Sequence, residues 1–530
     1  MSRPTSDEFL EAFEATQGFR PYSGQLEAIN SDSPATWVLA GPGTGKTEVL
    51  VLRALRLMIV EGVPPESIVL TTFTNRAAAE LRERIDLRTD KILEQPSMSG
   101  VERPNTSGMW LGTLHSIAYD ILRQFDVDSE RLVMLEEAAS TFRILQHSNA
   151  FIDHAMYEVL NGSEPRVYHN RIHHAERLKA AINRIVEDDL DRGSLDADEP
   201  NLSEQSTWPN EQIREKFLDL SNSYEERLGG AVDFSGVQAT FLGFLEGSSA
   251  ARFLEPDEKR GWQGVSHVIV DEYQDTNPVQ EAIYMAMCRF GASITVVGDD
   301  DQSIYRWRGA DIGNILRFEK NFPGTKVVRL EQNYRSAGMI LKAAQGVIKR
   351  NTSRKEKDLF TDKEEGPPLC LMDNANEEAE AMAVARQAAR WVEGGTSVDE
   401  VAVFYRTNAC SRSLEVAFTR LKIRHKVVGG QAFFERREIK DLMAYLRLLE
   451  NPSDDVSVTR IINVPPRRIG KRTIYELTQW ARTHNTPLLQ AINLIAADRS
   501  ISPTIPDQGI SALIEFSGLL KSQIGRASCR

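Results

Sequence analysis

The chain predicts the α/β class: parallel sheets flanked by helices, with helical segments inserted between strands. Three observations carry this reading. Short apolar runs bounded by turn residues alternate with long helical patterns. A glycine-rich loop, Ala40-Gly41-Pro42-Gly43-Thr44-Gly45-Lys46-Thr47, joins one such run to a helical stretch. An acidic pair, Asp271-Glu272, closes another run.

In chain order, the strands of the first sheet are expected over residues 36–40, 67–72, 267–270, 293–297 and 326–330. Their nearly unbroken Val, Ile and Leu content is what a parallel strand covered on both faces requires. Between the second and third lies a helical, charged interval, 117–229, read as an inserted helical domain that separates residues 1–116 from 230–333. A second α/β pattern begins at 334. Residues 369–372, 401–405 and 426–428 are strand-like, with a helical stretch over 377–392, so that 334–438 reads as the amino-terminal part of a second domain. From 439 to 530 the pattern is helical again, interrupted by Pro465-Pro466 and Ser502-Pro503.

A chain of 530 residues has room for roughly three or four domains, and 41% hydrophobic with 26% charged residues is ordinary for a globular protein. The formal net charge of -13 argues against a surface coated with phosphate-binding Lys and Arg. Any nucleic-acid contact therefore relies on local patches and stacking. Cys288, Cys370, Cys410 and Cys529 are far apart and form no CxxC pair, so neither a disulfide framework nor a zinc site is suggested. Acidic residues interrupt the apolar positions of residues 1–19, and no apolar run approaches the ~18 residues of a membrane span, so a cytoplasmic location is expected.

The loop after the first strand has the composition of a phosphate cradle, in which backbone N–H groups and the positive end of the following helix hold the oxygens. Lys46 is expected at the β- and γ-phosphates and Thr47 on Mg²⁺. Asp271 and Glu272 stand at the carboxyl end of their strand, where open α/β sheets bind ligands. Asp271 is the second Mg²⁺ candidate, and Glu272 the base that orients or deprotonates an attacking water. Gln302, in Gly298-Asp299-Asp300-Asp301-Gln302, is the expected reader of the terminal phosphate, since its amide can lose that partner on hydrolysis. Arg335, in Gln332-Asn333-Tyr334-Arg335-Ser336, is a candidate arginine finger, and Tyr334 a platform for adenine.

Loop aromatics stack single-stranded bases with little sequence preference. Phe73 in Thr72-Phe73-Thr74-Asn75, Tyr305 and Trp307 are the candidates, with Thr74, Asn75 and His115 as polar neighbours along a nucleic-acid strand. Two basic clusters offset the acidic whole: Lys349, Arg350, Arg354, Lys355 and Lys357, then Arg467, Arg468, Lys471 and Arg472. Each is either a grip on a phosphate backbone or an ordinary solvated face. His169, His173 and His174 lie at helix-compatible spacing, but no acidic or thiol partner accompanies them as a clear metal set, and they read as surface residues.

Together these segments resemble superfamily 1 DNA helicases of the UvrD/Rep/PcrA type. The similarity extends to Gln25 after Pro21-Tyr22-Ser23-Gly24, which looks like the adenine-reading Q motif. It continues through Gly112-Thr113-Leu114-His115-Ser116, Tyr405-Arg406-Thr407-Asn408 and Gly429-Gly430-Gln431-Ala432-Phe433-Phe434-Glu435-Arg436. The resemblance implies RecA-like domains with helical insertions, ATP and Mg²⁺ as cofactors, and 3′-to-5′ stepping on single-stranded DNA toward a single-strand/duplex junction. The Arg467 to Arg472 segment would face the duplex. Glu48 stands where many relatives carry an arginine. The later family motifs are not found before Arg530, so the second RecA-like domain is expected to be incomplete, with Mg·ATP binding retained, hydrolysis severely weakened and unwinding absent. The last six residues lack apolar periodicity and are expected to be a non-native tail. The alternatives are an ATP-binding, single-stranded-DNA-binding fragment without motor activity, or the helicase portion of a helicase-nuclease.

Overall fold

The computed structural model of the chain describes residues 3–126, 132–135, 231–306, 309–428, 437–501 and 505–527, with a few more between 129 and 228. Two compact units divide it, Met1–Pro367 and Pro368–Arg530.

The first unit is built on a six-stranded parallel sheet. In chain order the strands are β1 (Ala35–Ala40), β2 (Ile68–Thr72), β3 (Trp110–Thr113), β6 (His267–Val270), β7 (Ser293–Gly298) and β8 (Lys326–Leu330). A separate two-stranded ladder pairs β4 (Val133–Met134) with β5 (Ala231–Val232). Across the sheet the order is β3-β2-β6-β7-β1-β8. The five strands expected from apolar runs are all present. β3 was not among them: it has four residues, one of them Gly112, and lies at the sheet's margin with both ends only half-buried.

Successive side chains alternate between the two faces, as strand geometry dictates. Trp37, Leu39, Val69, Val268, Val270, Ile294 and Val296 enter one core, against the helices Leu114–Phe125, Phe234–Glu246 and Pro278–Cys288. Val38, Ala40, Ile68, Leu70, Ile269, Val297 and Val328 enter the other, against Ser6–Gln17, Ser23–Ile29, Lys46–Arg56 and Asn75–Leu93. Each fully buried Val, Leu or Ile contributes roughly 1.5–3 kcal/mol. The register that puts both apolar sets inside is therefore strongly specified. Because all six strands run the same way, everything that follows a strand emerges on one edge of the sheet.

The helix Leu114–Phe125 buries Ile117, Ala118, Ile121, Leu122 and Phe125 in the sheet core, so the expected start of the insertion at 117 falls inside a helix of the α/β layer. Residues 334–367 likewise belong to the first unit.

The second unit corrects one expectation. Residues 369–372, 401–405 and 426–428 form no strand ladder among the described residues, and Leu371 and Phe404 are almost fully exposed. Apolar content alone does not make a strand; a ladder partner must satisfy its backbone groups. The helices Glu377–Glu393 and Ser411–Arg420 pack on each other through Ala381, Ala385, Ala388, Ala417 and Phe418, with Val401 and Val403 against them. Beyond them the unit is helical, as expected, over Arg437–Glu450, Asp455–Ile461, Lys471–Thr483, Leu488–Ala497 and Asp507–Ala527. Arg467 is bound within this unit: it donates at 2.9 Å to the carbonyls of Ile461 and Val464, and its guanidinium lies 5.2 Å over the Phe516 ring.

Candidate nucleotide site

The phosphate loop follows β1 and leads into the helix Lys46–Arg56, whose N-cap is Gly45. Gly43 and Gly45 adopt φ of 71° and 87°, a left-handed geometry that glycine accepts without strain. A side chain would also collide: a Cβ on Gly43 would stand 2.7 Å from Arg335 Cβ, and one on Gly45 2.5 Å from Gln25 Nε2. Inside the loop, the buried Thr44 hydroxyl donates to the Gly41 carbonyl at 2.8 Å.

Gln25 serves this loop directly. Its Nε2 donates to the Thr44 carbonyl at 3.0 Å and its Oε1 accepts from the Tyr22 amide at 3.2 Å, so both ends of the side chain support backbone. On the other flank Asn333 donates to the Pro42 carbonyl at 2.6 Å, and the Tyr334 amide to the Gly43 carbonyl at 2.9 Å. The Tyr334 ring is exposed and lies 6.2 Å from that of Tyr22, which leaves an aromatic face open beside the loop. Arg335 is exposed, and its guanidinium makes no ion pair among the described residues. Glu48 pairs with Arg88, on the helix Asn75–Leu93, at 3.0 Å.

Asp271 and Glu272 directly follow β6, which lies one strand removed from β1 in the sheet. Lys46 Nζ stands 3.1 Å from Glu272 Oε2. Glu272 holds φ 51°, a left-handed conformation rare for a residue with a side chain, and such outliers cluster at functional sites. Burial and the neighbouring Glu272 charge push Asp271 up to about 7, and the same two causes push Asp275 up to about 7. A carboxyl held near neutrality this way becomes charged when a cation arrives. Thr47 is half-buried in the first turn of the helix Lys46–Arg56. Thr47 and Asp271 therefore offer a hydroxyl and a carboxylate, oxygen donors of the kind a hard divalent cation prefers.

Sequence reasoning missed Gln274, which ties the site together. It is buried; its Nε2 donates to Glu272 Oε2 at 2.9 Å, while its Oε1 accepts the backbone N–H of Asp299 at 3.0 Å. Asp299 Oδ2 in turn accepts from Gln302 Nε2 at 2.7 Å. An unbroken polar path thus runs from Lys46 through Glu272, Gln274 and Asp299 to Gln302. Its only sequence signal was position: an amide two residues beyond the acidic pair.

Past Gln302 the connector reaches Tyr305, whose ring stacks on Phe73 at 4.9 Å and 30°. Both rings are half-exposed, which makes neither a core residue. Thr74 caps the helix Asn75–Leu93 by accepting the Ala77 amide, and Asn75 is exposed. His115 stacks on exposed Phe234 at 3.7 Å with a ring nitrogen 2.6 Å from Gln238 Nε2, and burial pushes its pKa down to about 4. Trp307 lies outside the described residues, as do His169, His173, His174 and the 429–436 motif.

The first basic cluster is not a phosphate grip at Arg354, Lys355 and Lys357. Arg354 holds Asp301, Lys355 holds Glu319 at 2.6 Å, and Lys357 is buried among Asp299, Asp300 and Asp301. The acidic turn at 299–301 holds the Arg354 and Lys357 side chains, a pairing that spacing along the chain does not reveal.

Residues 23–323 match the UvrD/REP helicase N-terminal domain, and residues 328–498 match the UvrD-like helicase C-terminal domain. The chain is 36% identical over 492 residues to DNA helicase II of Haemophilus influenzae, covering 92% of this chain and 61% of that protein. It is 34% identical over 504 residues to DNA helicase II of Escherichia coli, covering 94% and 63%. Against the ATP-dependent DNA helicase PcrA of Bacillus subtilis the identity is 33% over 476 residues, covering 89% and 59%. The chain thus spans about three fifths of the length of these relatives. With both domain models matched in order along the same chain, this protein belongs to the UvrD/REP helicase family.

Proposed function

We propose that the chain is the nucleotide-binding and strand-stacking portion of an ATP-dependent DNA helicase that translocates 3′ to 5′ on single-stranded DNA in the cytoplasm. The observation that supports it most is the polar path Lys46–Glu272–Gln274–Asp299–Gln302, which continues in sequence to the Tyr305–Phe73 stack. Change at the terminal phosphate then has a route to stacked bases.

In this reading the loop amides of residues 41–45 and Lys46 hold the phosphates of ATP, and Gln25 keeps the loop in shape from behind. Thr47 and Asp271 would hold Mg²⁺, which neutralises phosphate charge when bound. Glu272 takes the proton of the attacking water while Lys46 and Gln274 fix its carboxylate. Gln302 reads the terminal phosphate. Arg335, beside Gly43 and without an ion pair among the described residues, supplies positive charge as that phosphate leaves. Tyr334 offers its open face to the adenine. Phe73, Tyr305 and Trp307 stack bases, with Thr74, Asn75 and His115 as polar neighbours.

ATP turnover with and without single-stranded DNA tests the reading. Turnover stimulated by DNA and lost in Glu272→Gln supports it; ATP affinity and hydrolysis that ignore Lys46→Ala would overturn it. The unpaired, exposed runs around Leu371 and Phe404 favour a second reading, an ATP-binding, single-strand-binding fragment without stepping. Displacement of a strand from a 3′-tailed duplex separates the two.

A further inference from the structure

We propose that Lys357 is a positioning residue: its ammonium fills a three-carboxylate cage as a built-in cation and so holds the Asp299–Gln302 turn in place behind the nucleotide site. The inference rests on the reading of Gln302 as the sensor of the terminal phosphate. Lys357 Nζ stands 2.8 Å from Asp299 Oδ1, 2.6 Å from Asp300 Oδ1 and 2.7 Å from Asp301 Oδ2, and its side chain is 2% exposed. The ammonium donates a hydrogen bond to Asp300 and forms ion pairs with Asp299 and Asp301, so one cation faces three carboxylates.

The remaining carboxylate positions are also occupied. Asp301 receives Arg354 Nε at 3.0 Å and Nη2 at 2.8 Å, and Asp300 Oδ2 accepts the Lys355 amide at 2.7 Å. Asp299 Oδ1 accepts the Asp301 amide at 3.1 Å, which leaves Asp299 Oδ2 for Gln302. Burial opposes charge on Lys357, but the carboxylates outweigh it and hold the ammonium pKa above its usual value. A buried group of three like charges is sustained only by such compensation.

The segment that carries Lys357 has two further anchors. Leu359 packs so closely on the phosphate loop that a Cβ on Gly41 would lie 2.5 Å from its Cδ2. The Phe360 carbonyl accepts the Asn333 amide at 2.7 Å, and Asn333 itself holds the Pro42 carbonyl. Residues 354–360 therefore strap the sensor turn, the phosphate loop and the Asn333-Tyr334-Arg335 element together. Without the cation, three carboxylates whose ligand atoms lie within 4.8 Å of one another repel and the turn opens.

The test uses the full chain in two arms. In the first, Lys357→Ala is heated with and without millimolar Ca²⁺ beside the wild type, which shares any cation site near Asp271. The expected result is a lower unfolding temperature for the variant and a Ca²⁺-dependent recovery absent from the wild type, because the vacated oxygens form a hard-cation site. Equal responses of the two proteins to Ca²⁺ overturn the cage. In the second arm, Lys357→Met and Lys357→Arg are titrated with fluorescent ADP and a non-hydrolysable triphosphate analogue. A charge-assisted hydrogen bond from Gln302 corresponds to a wild-type preference for the triphosphate of about tenfold. Lys357→Met should lose that preference at unchanged ADP affinity, and Lys357→Arg should regain part of it. A full preference in Lys357→Met overturns the positioning role. A wild type with no preference removes the sensor reading and the positioning role with it, while the Ca²⁺ arm still decides the cage.

Discussion

Replacing Gln274 by Leu keeps most of the side-chain volume and deletes both ends of the polar bridge. The backbone N–H of Asp299 loses its 3.0 Å acceptor inside the protein, and an unsatisfied buried donor costs roughly 1–3 kcal/mol. Glu272 loses a 2.9 Å donor but keeps Lys46 at 3.1 Å, and its side chain is 35% exposed, so water replaces part of the loss and this term stays near ~1 kcal/mol. The sum is about 2–4 kcal/mol from the first unit. Urea unfolding measures it as a lower midpoint at unchanged slope, and amide hydrogen exchange should show faster exchange over residues 298–303. Gln274→Glu, which sets a second carboxylate against Glu272, should lose more, and increasingly so as the pH rises. A Gln274→Leu chain within ~0.5 kcal/mol of wild type, the range of an ordinary surface change, would refute the bridge.

Lys46→Ala should abolish binding of a fluorescent ATP analogue while moving the unfolding temperature little, because its partner Glu272 keeps Gln274; a fluorescence titration checks the first and a thermal scan the second. Tyr305→Ala and Phe73→Ala should each weaken single-stranded DNA binding by ~1–3 kcal/mol in fluorescence anisotropy. Because the two rings stack at 4.9 Å, the double variant should lose less than the sum of the singles. Burial pushes His267, bonded to Ser293, down to about 4. Its neutral form therefore contributes stability that is present above its unfolded pKa near ~6.5 and lost as pH falls toward 4. His267→Gln should flatten that part of the stability curve, read as unfolding free energy at stepped pH.

Periodicity and turn chemistry were enough to locate five of the strands in the first sheet, because strands covered on both faces are written as unbroken apolar runs. The phosphate loop was equally legible: glycines at fixed offsets, then Lys46-Thr47, are a local backbone requirement that one short segment meets by itself. What the amino-acid order could not display is distance across the sheet. β6, β7 and β1 lie side by side although residues 41, 271 and 298 are far apart in the chain, and only that order brings Lys46, Glu272, Gln274 and Asp299 into one polar path. The same holds for charge. Lys357 read as part of either a phosphate grip or a solvated face, whereas folding sets it against three carboxylates more than fifty residues earlier. Apolar patterning is decided by each segment's own neighbours, whereas whether a charged or amide side chain faces water or a partner depends on which distant segment the tertiary structure places beside it.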